Sequence, residues 1–337
     1  LHMQGKMFCF QCEQTFGGKG CTKVGVCGKT PEIAAMQDLL IYQLKGISCY
    51  VTKLLAKGEK IDKSWVSFVE NSLFMTLTNV NFDPKSHMDM LKKSQVIKEE
   101  VRKKAIGETV ISEEALYNLS DTEEQIFEDA KKAGVMYDEN LDADIRSVRE
   151  TIKYGLKGIA AYAHQARFIK YNSDDVDHFY FIALAVLTDD SLNLQDLIKY
   201  LIKTGETSVK VMEVLDKGNN EKYNSPTPTK VNVNIKKGPF IVISGHELRD
   251  LEMLLEQTEG KGINIYTHGE MLPSHGYPKL NKYKHLVGNF GGAWQNQQKE
   301  FDGIPGCILM TTNCLMKPRD SYKDRIFSTS VVGWDGI

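Results

Sequence analysis

Hydrophobic residues recur at helical spacing through the first two thirds of the chain. The first run follows Thr30-Pro31-Glu32, where an N-cap residue precedes a proline at the first helical position and an acidic first turn. Apolar residues then return every three or four positions as far as Leu54. Further helical patterns lie at about residues 64–80, 88–106, 122–134, 143–171, 174–187 and 194–215. Strand patterns are almost absent before residue 230, so this part is predicted to be α-helical.

The helical part contains an internal repeat. The sequence Leu-Lys-Gly-Ile at residues 44–47 returns at residues 156–159, an offset of 112 residues. A second match, between residues 77–79 and 187–189, has an offset of 110. One three-helix unit of this length buries its apolar stripes poorly, and two copies would cover each other. The repeat therefore predicts two three-helix bundles.

The pattern changes after a polar, proline-containing stretch at residues 219–229, which is predicted to be a linker. Short apolar runs typical of buried strands follow, with one helical run among them at residues 248–257. The strand candidates are residues 240–243, 262–266, 284–287, 307–310 and 326–332. Such alternation is typical of a doubly wound parallel sheet.

These patterns predict a multidomain protein of the α plus α/β class. A cysteine-rich, cluster-binding segment would occupy residues 1–30, the two helical bundles residues 31–218, and a doubly wound parallel-sheet domain residues 230–337. The last strand candidate is followed by five residues and no helix, and an uncovered parallel strand exposes apolar surface and unpaired backbone groups. We expect that a partner chain or a continuation of the natural chain covers it.

Composition and charge are those of an ordinary globular protein. Hydrophobic residues make up 42% and charged residues 26%, which excludes a disordered or fibrous chain. The net charge of −2 argues against a protein that binds nucleic acid through bulk charge. The longest apolar stretch, near residues 179–187, is about half as long as a membrane span, and no signal peptide is visible. We expect a cytoplasmic protein that binds neither nucleic acid nor membranes.

Four of the seven cysteines fall within nineteen residues: Cys9, Cys12, Cys21 and Cys27. Nothing indicates an oxidising compartment, and clustered thiols in other compartments bind metals more often than they form disulfides. Four thiolates are the ligand set of a [4Fe–4S] cluster and also of structural zinc. The spacing is neither that of a zinc ribbon nor that of a bacterial ferredoxin. At this point an iron–sulfur cluster, zinc and unligated thiols all remain open.

Three further candidate ligands each follow a different predicted strand: His246, Glu270 and Cys314. The carboxyl ends of parallel strands meet at one edge of a sheet, where ligands usually bind. Imidazole, carboxylate and thiolate are all competent iron ligands. Taken singly, they could be a loop histidine, a solvated charge and a buried thiol. Their shared position after separate strands favours a common site.

Several long motifs surround these candidates. Residues 7–15 are Met-Phe-Cys-Phe-Gln-Cys-Glu-Gln-Thr, residues 20–22 Gly-Cys-Thr and residues 26–29 Val-Cys-Gly-Lys. Later motifs are Ser-Gly-His at 244–246, Tyr-Thr-His-Gly-Glu-Met-Leu-Pro at 266–273, Val-Gly-Asn-Phe-Gly-Gly at 287–292 and Thr-Thr-Asn-Cys-Leu at 311–315. Together they resemble the hybrid cluster proteins, also called prismane proteins or hydroxylamine reductases. The match covers essentially all residues from Met7 onward.

The resemblance implies two clusters and a redox activity. In that family the four N-terminal cysteines bind a [4Fe–4S] cluster, which passes electrons from a redox donor. A hybrid iron–sulfur–oxygen cluster takes a histidine, a glutamate and a cysteine, which match His246, Glu270 and Cys314 and would form the catalytic site. The implied reaction is the reduction of hydroxylamine, a small nitrogen-oxide substrate, to ammonia, and nitric oxide has been proposed as a further substrate.

The resemblance also implies a missing part. Family members continue with a second α/β domain that supplies further cysteines, a glutamate and a catalytic lysine, and these do not occur in the 337 residues. We therefore expect a truncated chain, inactive by itself, whose hybrid cluster is incomplete or absent. One alternative is a single-cluster fragment that serves electron transfer or as a scaffold. Another is a structural zinc protein.

Overall fold

The computed structural model describes residues 6–337, so the predicted cysteine-rich segment at 1–30 begins outside the described residues. Its helical half contains α1 (Pro31–Ala56), α2 (Lys63–Met75), α3 (Pro84–Lys104), α4 (Glu113–Leu116), α5 (Glu123–Ala130), α6 (Ala143–Phe168), α7 (Asp174–Val186) and α8 (Leu194–Tyr223). Short 3-10 helices lie at Phe16–Gly18 and Lys131–Ala133. Each predicted helix is present, with ends that differ by a few residues.

The first helix begins where the sequence predicted. The Thr30 side chain accepts a hydrogen bond from the Ile33 backbone N–H at 3.3 Å, and Pro31 stands at the first helical position. Both features satisfy or remove N–H groups that would otherwise lack a partner at a helix start. The sequence therefore determined this end of α1.

The predicted linker at residues 219–229 is wrong in its first part, because α8 continues to Tyr223. The Tyr223 side chain is fully buried, and its hydroxyl donates a hydrogen bond to Glu252 Oε2 at 3.1 Å. Helix α8 ends there because Asn224 adopts a positive φ of 63°. Burial of one aromatic side chain thus extends the helix through a polar sequence.

The internal repeat appears as two matched sets of three helices. Helices α1 and α6 are both 26 residues long, and α2 and α7 are both 13 residues long. The helix α1 packs against α3 of its own set and also against α7 of the other. The two sets therefore share one apolar interior, since neither set covers α1 alone.

Five parallel strands form the sheet, in the order β3-β2-β1-β4-β5. They are β1 (Phe240–Ser244), β2 (Asn264–His268), β3 (Leu286–Phe290), β4 (Cys307–Met310) and β5 (Ile326–Ser328). The chain builds outward from β1 to β3, then returns to the other side of β1 for β4 and β5. This reversal confirms the doubly wound parallel sheet and the α plus α/β fold class.

One long helix and several short ones connect the strands. They are α9 (Leu248–Thr258), a 3-10 helix at Gly269–Gly276, α10 (Pro278–Asn281), a 3-10 turn at Trp294–Asn296 and α11 (Gln297–Glu300). Leu251 and Leu255 of α9 are fully buried against Ile243 of β1 and Ile265 of β2. Each such side chain contributes roughly 2 kcal/mol through burial.

The fifth strand is shorter than the predicted run of residues 326–332. It ends at Ser328, after which the chain leaves the sheet: the Phe82 backbone N–H donates to Gly333 O at 2.9 Å, and the Trp334 and Phe82 rings lie 4.3 Å apart. Phe327 of β5 is 54% exposed.

The chain divides into two compact units. The first contains the chain up to Leu77, Asp83–His164 and Asn172–Met212, and the second contains Thr78–Phe82, Gln165–Tyr171 and Glu213–Ile337. The domain boundaries drawn from the sequence stay predictions. Among the described residues, no helix is both long enough and apolar enough to cross a membrane.

Candidate metal centres

The first candidate centre is built by a tight reversal of the chain between Cys9 and Cys21. Their backbones form an antiparallel bridge, in which Cys9 N donates to Cys21 O at 3.1 Å and Cys21 N donates to Cys9 O at 2.8 Å. The reversal passes through the 3-10 turn Phe16–Gly18, where Gly17 and Gly18 both have positive φ. Two cysteines twelve residues apart in sequence are thereby held side by side.

The other two cysteines belong to the same neighbourhood. Burial raises the pKa of the Cys12 thiol, and nearby Cys9 and Cys21 raise it further. Burial likewise raises the pKa of Cys27, and Cys9 and Cys12 add to the increase. Such electrostatic effects act between thiols of one neighbourhood. The structure therefore holds Cys9 and Cys21 side by side, with Cys12 and Cys27 near enough to be influenced by their charge. The assignment of the four as cluster ligands stays a prediction.

Backbone and hydroxyl donors point at the sulfur atoms. Phe16 N donates to Cys21 Sγ at 3.4 Å, and the Thr15 hydroxyl lies 3.7 Å from the same sulfur. Burial alone would raise the pKa of Cys21, but these hydrogen bonds and one from the Val26 backbone outweigh it, and the pKa is lowered. Donors to sulfur favour the thiolate, which is the form that binds metal.

The donor set fits an iron–sulfur cluster. Four thiolates with N–H donors to sulfur form the usual surroundings of such a cluster. In residues 6–337, no three His, Cys, Asp or Glu side chains lie close enough together to hold a single metal ion. A four-iron cluster spaces its thiolates more widely than one ion does, because iron and sulfide atoms fill the space between them.

The second candidate centre lies at the carboxyl edge of the sheet. His246 follows β1 and Glu270 follows β2, which neighbours β1, and His246 Nε2 lies 2.7 Å from Glu270 Oε2. Cys314 follows β4, which borders β1 on the other side. The strand order reverses between β1 and β4, the position where ligands bind in open parallel sheets.

Cys314 is influenced by the charge of Glu270. Burial raises the pKa of its thiol, a hydrogen bond with Asn79 lowers it, and the charge of Glu270 raises it. The hydroxyl of Thr312 lies 2.8 Å from His246 Nδ1 and orients the imidazole ring, as outer partners of metal-binding histidines do. The structure thus places His246 against Glu270, and the charge of Glu270 reaches Cys314. Their assignment as cluster ligands stays a prediction.

The sequence did not indicate a second layer of polar residues beneath this edge. Ser244 Oγ lies 2.9 Å from His268 Nδ1, and His268 Nε2 lies 2.7 Å from Glu300 Oε2, which belongs to α11. His268 is 1% exposed, and burial lowers its pKa although Glu300 opposes the shift. The register of β1 and β2, which pairs Ser244 with His268, brings these residues together and is known only from the folded sheet.

Sequence comparison identifies the family of the chain. Residues 7–337 match the family model described as the Prismane/CO dehydrogenase family. The chain belongs to this family. The predicted resemblance to prismane, or hybrid cluster, proteins is therefore confirmed.

Curated relatives in the family carry a common name. The chain is 48% identical to "Hydroxylamine reductase" of Thermoanaerobacter pseudethanolicus and 47% identical to that of Kosmotoga olearia, with 98% of this chain covered in both cases. It is 45% identical to the protein of the same name in Desulfovibrio desulfuricans, with 99% covered. The matches cover 60%, 61% and 61% of these relatives. The chain therefore spans about 60% of the length of the curated relatives it matches.

The similarity to solved structures is weak. Carbon monoxide dehydrogenase IV from Carboxydothermus hydrogenoformans matches with a TM-score of 0.31 and 17% identity, over 92% of this chain and 46% of that chain. A likeness at this TM-score supports no conclusion.

Proposed function

We propose that this chain carries cluster-binding parts of a hydroxylamine reductase. The observation that carries the proposal is the contact of His246 with Glu270 at the reversal point of the sheet, where Cys314 follows the strand on the other side of β1. The names of the relatives support the reaction class. The proposed overall reaction reduces hydroxylamine with two electrons and two protons to ammonia and water, and it breaks the N–O bond.

The residues divide between two clusters. Cys9, Cys12, Cys21 and Cys27 would hold a [4Fe–4S] cluster, and His246, Glu270 and Cys314 would hold part of the hybrid cluster. When bound, these groups supply single electrons and an open iron position that acts as a Lewis acid. The protein contributes ligands, their orientation and control of their protons.

The second site must lose a hydrogen bond and a thiol proton before it can bind metal. A metal held by both His246 and Glu270 would replace the 2.7 Å contact between His246 Nε2 and Glu270 Oε2. The raised pKa of Cys314 keeps its thiol protonated in the absence of metal. Since Thr312 holds Nδ1, the imidazole keeps its orientation when the contact with Glu270 is lost.

The site is accessible to a small substrate. The His246 side chain is 32% exposed and that of Glu270 is 58% exposed. Thr311 and Thr312 are buried beside them, so the strand ends form a fixed floor. A rigid floor with open ligands suits a small molecule that binds at an exchangeable iron position.

The variant His246→Ala tests the assignment in full-length protein purified without oxygen. We expect hydroxylamine turnover to fall at least roughly 100-fold, because ligand-sphere changes at metal sites cost that much or more. The spectrum of the four-cysteine cluster should be unchanged. His178→Ala, on α7, serves as the control and should retain activity. Unchanged turnover in His246→Ala would show that the assigned site is wrong.

A second candidate is a single-cluster electron-transfer or scaffold fragment. It is favoured by the completeness of the four-cysteine set within residues 9–27, whereas the second site gathers three of the proposed ligands. Anaerobic metal analysis separates the candidates: about four irons per chain indicates one cluster, and about eight indicates both. Zinc in place of iron would indicate the structural zinc protein.

A further inference from the structure

Lys29 is a buried lysine beside the first cysteine. Its side chain is 7% exposed, and its Nζ lies 3.8 Å from Cys9 Sγ. Within residues 6–337, Cys9 is the one hydrogen-bond partner found for this ammonium group. A buried cation is costly unless an anion or good acceptors compensate it, and a neutral thiol is a weak acceptor. A negative charge at Cys9 would therefore compensate the buried ammonium group of Lys29.

The surroundings of Lys29 are rich in cations. A cavity of about 20 Å³, large enough for roughly one water molecule, is lined by Cys9, Lys29, Asp38, Lys153 and Lys157. The three lysines are each less than a tenth exposed. Three buried lysines thus line the same cavity as this cysteine.

The carboxylates nearby do not form an ion pair with Lys29 within residues 6–337. Glu150 forms an ion pair with Lys153 and neutralises it. Burial raises the pKa of Asp38 to about 6, so part of this carboxyl is protonated near neutral pH. Burial lowers the pKa of Lys157 to about 7, and Lys153 and Lys29 lower it further. Cys9 Sγ therefore remains the hydrogen-bond partner of Lys29.

Lys157 has a separate structural role. Its Nζ donates to Gln11 Oε1 at 2.9 Å and to Thr76 O at 3.2 Å, and Gln11 Nε2 donates to the same carbonyl at 3.2 Å. Gln11 lies between Cys9 and Cys12, so Lys157 connects the cysteine segment to α6 through the Gln11 side chain. Lys29 contacts a cysteine sulfur itself.

We propose that Lys29 is a positioning residue that compensates the negative charge of the cluster bound by the four cysteines and raises its reduction potential. The inference rests on the proposed function, because it requires that cluster. A cluster held by four thiolates is anionic, and one-electron reduction makes it more negative. A fixed cation near a ligand sulfur stabilises the reduced state more than the oxidised state.

Redox titration of the protein, purified without oxygen and followed by electron paramagnetic resonance, tests this role independently of turnover. Lys29→Met removes the charge and keeps much of the shape, so its midpoint potential should be more negative than that of the wild type. Lys29→Arg retains the charge and should stay near the wild-type value. Lys23→Met, on the same segment but exposed, should have no effect because solvent and salt screen that charge.

The iron content and midpoint potential of the Lys29 variants support or overturn the proposed role. A Lys29→Met cluster with full iron content and wild-type potential would overturn it. If Lys29→Met assembles no cluster, the variants Lys29→Arg and Lys29→Gln decide. The inference is supported if Lys29→Arg assembles a cluster and Lys29→Gln either assembles none or assembles one whose potential is more negative than that of Lys29→Arg. Any other combination contradicts it. Wild-type protein without an iron–sulfur cluster would refute the proposed function, and this inference with it.

Discussion

At the scale of single residues, the candidate site depends on contacts between positions far apart in sequence. His246 meets Glu270, 24 residues later, and Thr312, 66 residues later. The sequence indicated His246 and Glu270 because both follow strands. It gave no indication of Thr312, since a threonine in a polar loop has no distinguishing pattern. Ligand types are visible in a sequence, but the residues that orient them are visible only in the fold.

Gly245 shows how closely the strand ends approach each other. It has φ of +109°, and a Cβ there would collide with the Thr311 hydroxyl and lie 2.6 Å from Thr312 N. Because the substitution adds both backbone strain and overpacking, Gly245→Ala should lower the free energy of unfolding by roughly 3 kcal/mol. Urea denaturation measures the change.

Gly260→Ala is the matched control. Gly260 also has positive φ, at +74°, but a Cβ there meets open space. Its cost should be limited to backbone strain of about 1 kcal/mol. Equal losses in the two variants would show that the contact of Gly245 with Thr311 and Thr312 has no energetic importance.

At the scale of helices and strands, the sequence predicted the presence of each element more accurately than it predicted the ends. Amphipathic periodicity located every long helix, because one apolar face must be buried wherever the helix packs. The second helix ends at Met75 and not at residue 80, and α8 continues to Tyr223. Helix ends depend on which polar groups find partners, and partners such as Glu252 come from other elements.

The start of α1 provides a test of whether the capping residue stabilises the helix. Thr30→Ala removes the side-chain acceptor for Ile33 N, so the free energy of unfolding should fall by about 1 kcal/mol. Ser173→Ala is the control, because Ser173 precedes α7 without making a side-chain capping bond. It should cost much less. Urea denaturation at matched iron content compares the two, and an equal loss would contradict the capping role of Thr30.

At the scale of the whole molecule, the sequence predicted the fold class and the family, both of which are confirmed. It did not predict that α1 would pack against helices of both repeat copies. Nor did it give the strand order, which places β1 between β2 and β4. Periodicity identifies a buried face without naming the element that covers it.

Acid stability is a property of the whole molecule, and His87 is one group that contributes to it. His87 of α3 is fully buried, its Nδ1–H donates to Asp83 O at 2.8 Å, and Gln37 of α1 donates to its Nε2 at 3.1 Å. Burial lowers the pKa of His87 to about 4, against 6.5 for the free side chain. The unfolded chain therefore binds a proton more readily than the folded one between these pH values.

The free energy of unfolding should fall in acid as His87 is protonated. The contribution of neutral His87 is complete above about pH 6.5 and is lost as the pH falls toward 4, a decrease of roughly 3 kcal/mol in the free energy of unfolding. His87→Gln lacks this titration, so the stability difference between wild type and variant should narrow on acidification. Urea denaturation at pH 7 and pH 4.5 measures both. A constant difference would show that His87 does not remain neutral in the fold.

The sequence by itself determined the helices, the strands, the start of α1 and the set of candidate ligands. These follow from periodicity, capping and residue chemistry, which act over a few neighbouring positions. The tertiary structure alone decided that His246 contacts Glu270 and that Lys29 lies against Cys9. Such contacts depend on strand order and helix packing, which arise from burial over the whole chain and leave no local pattern in the sequence.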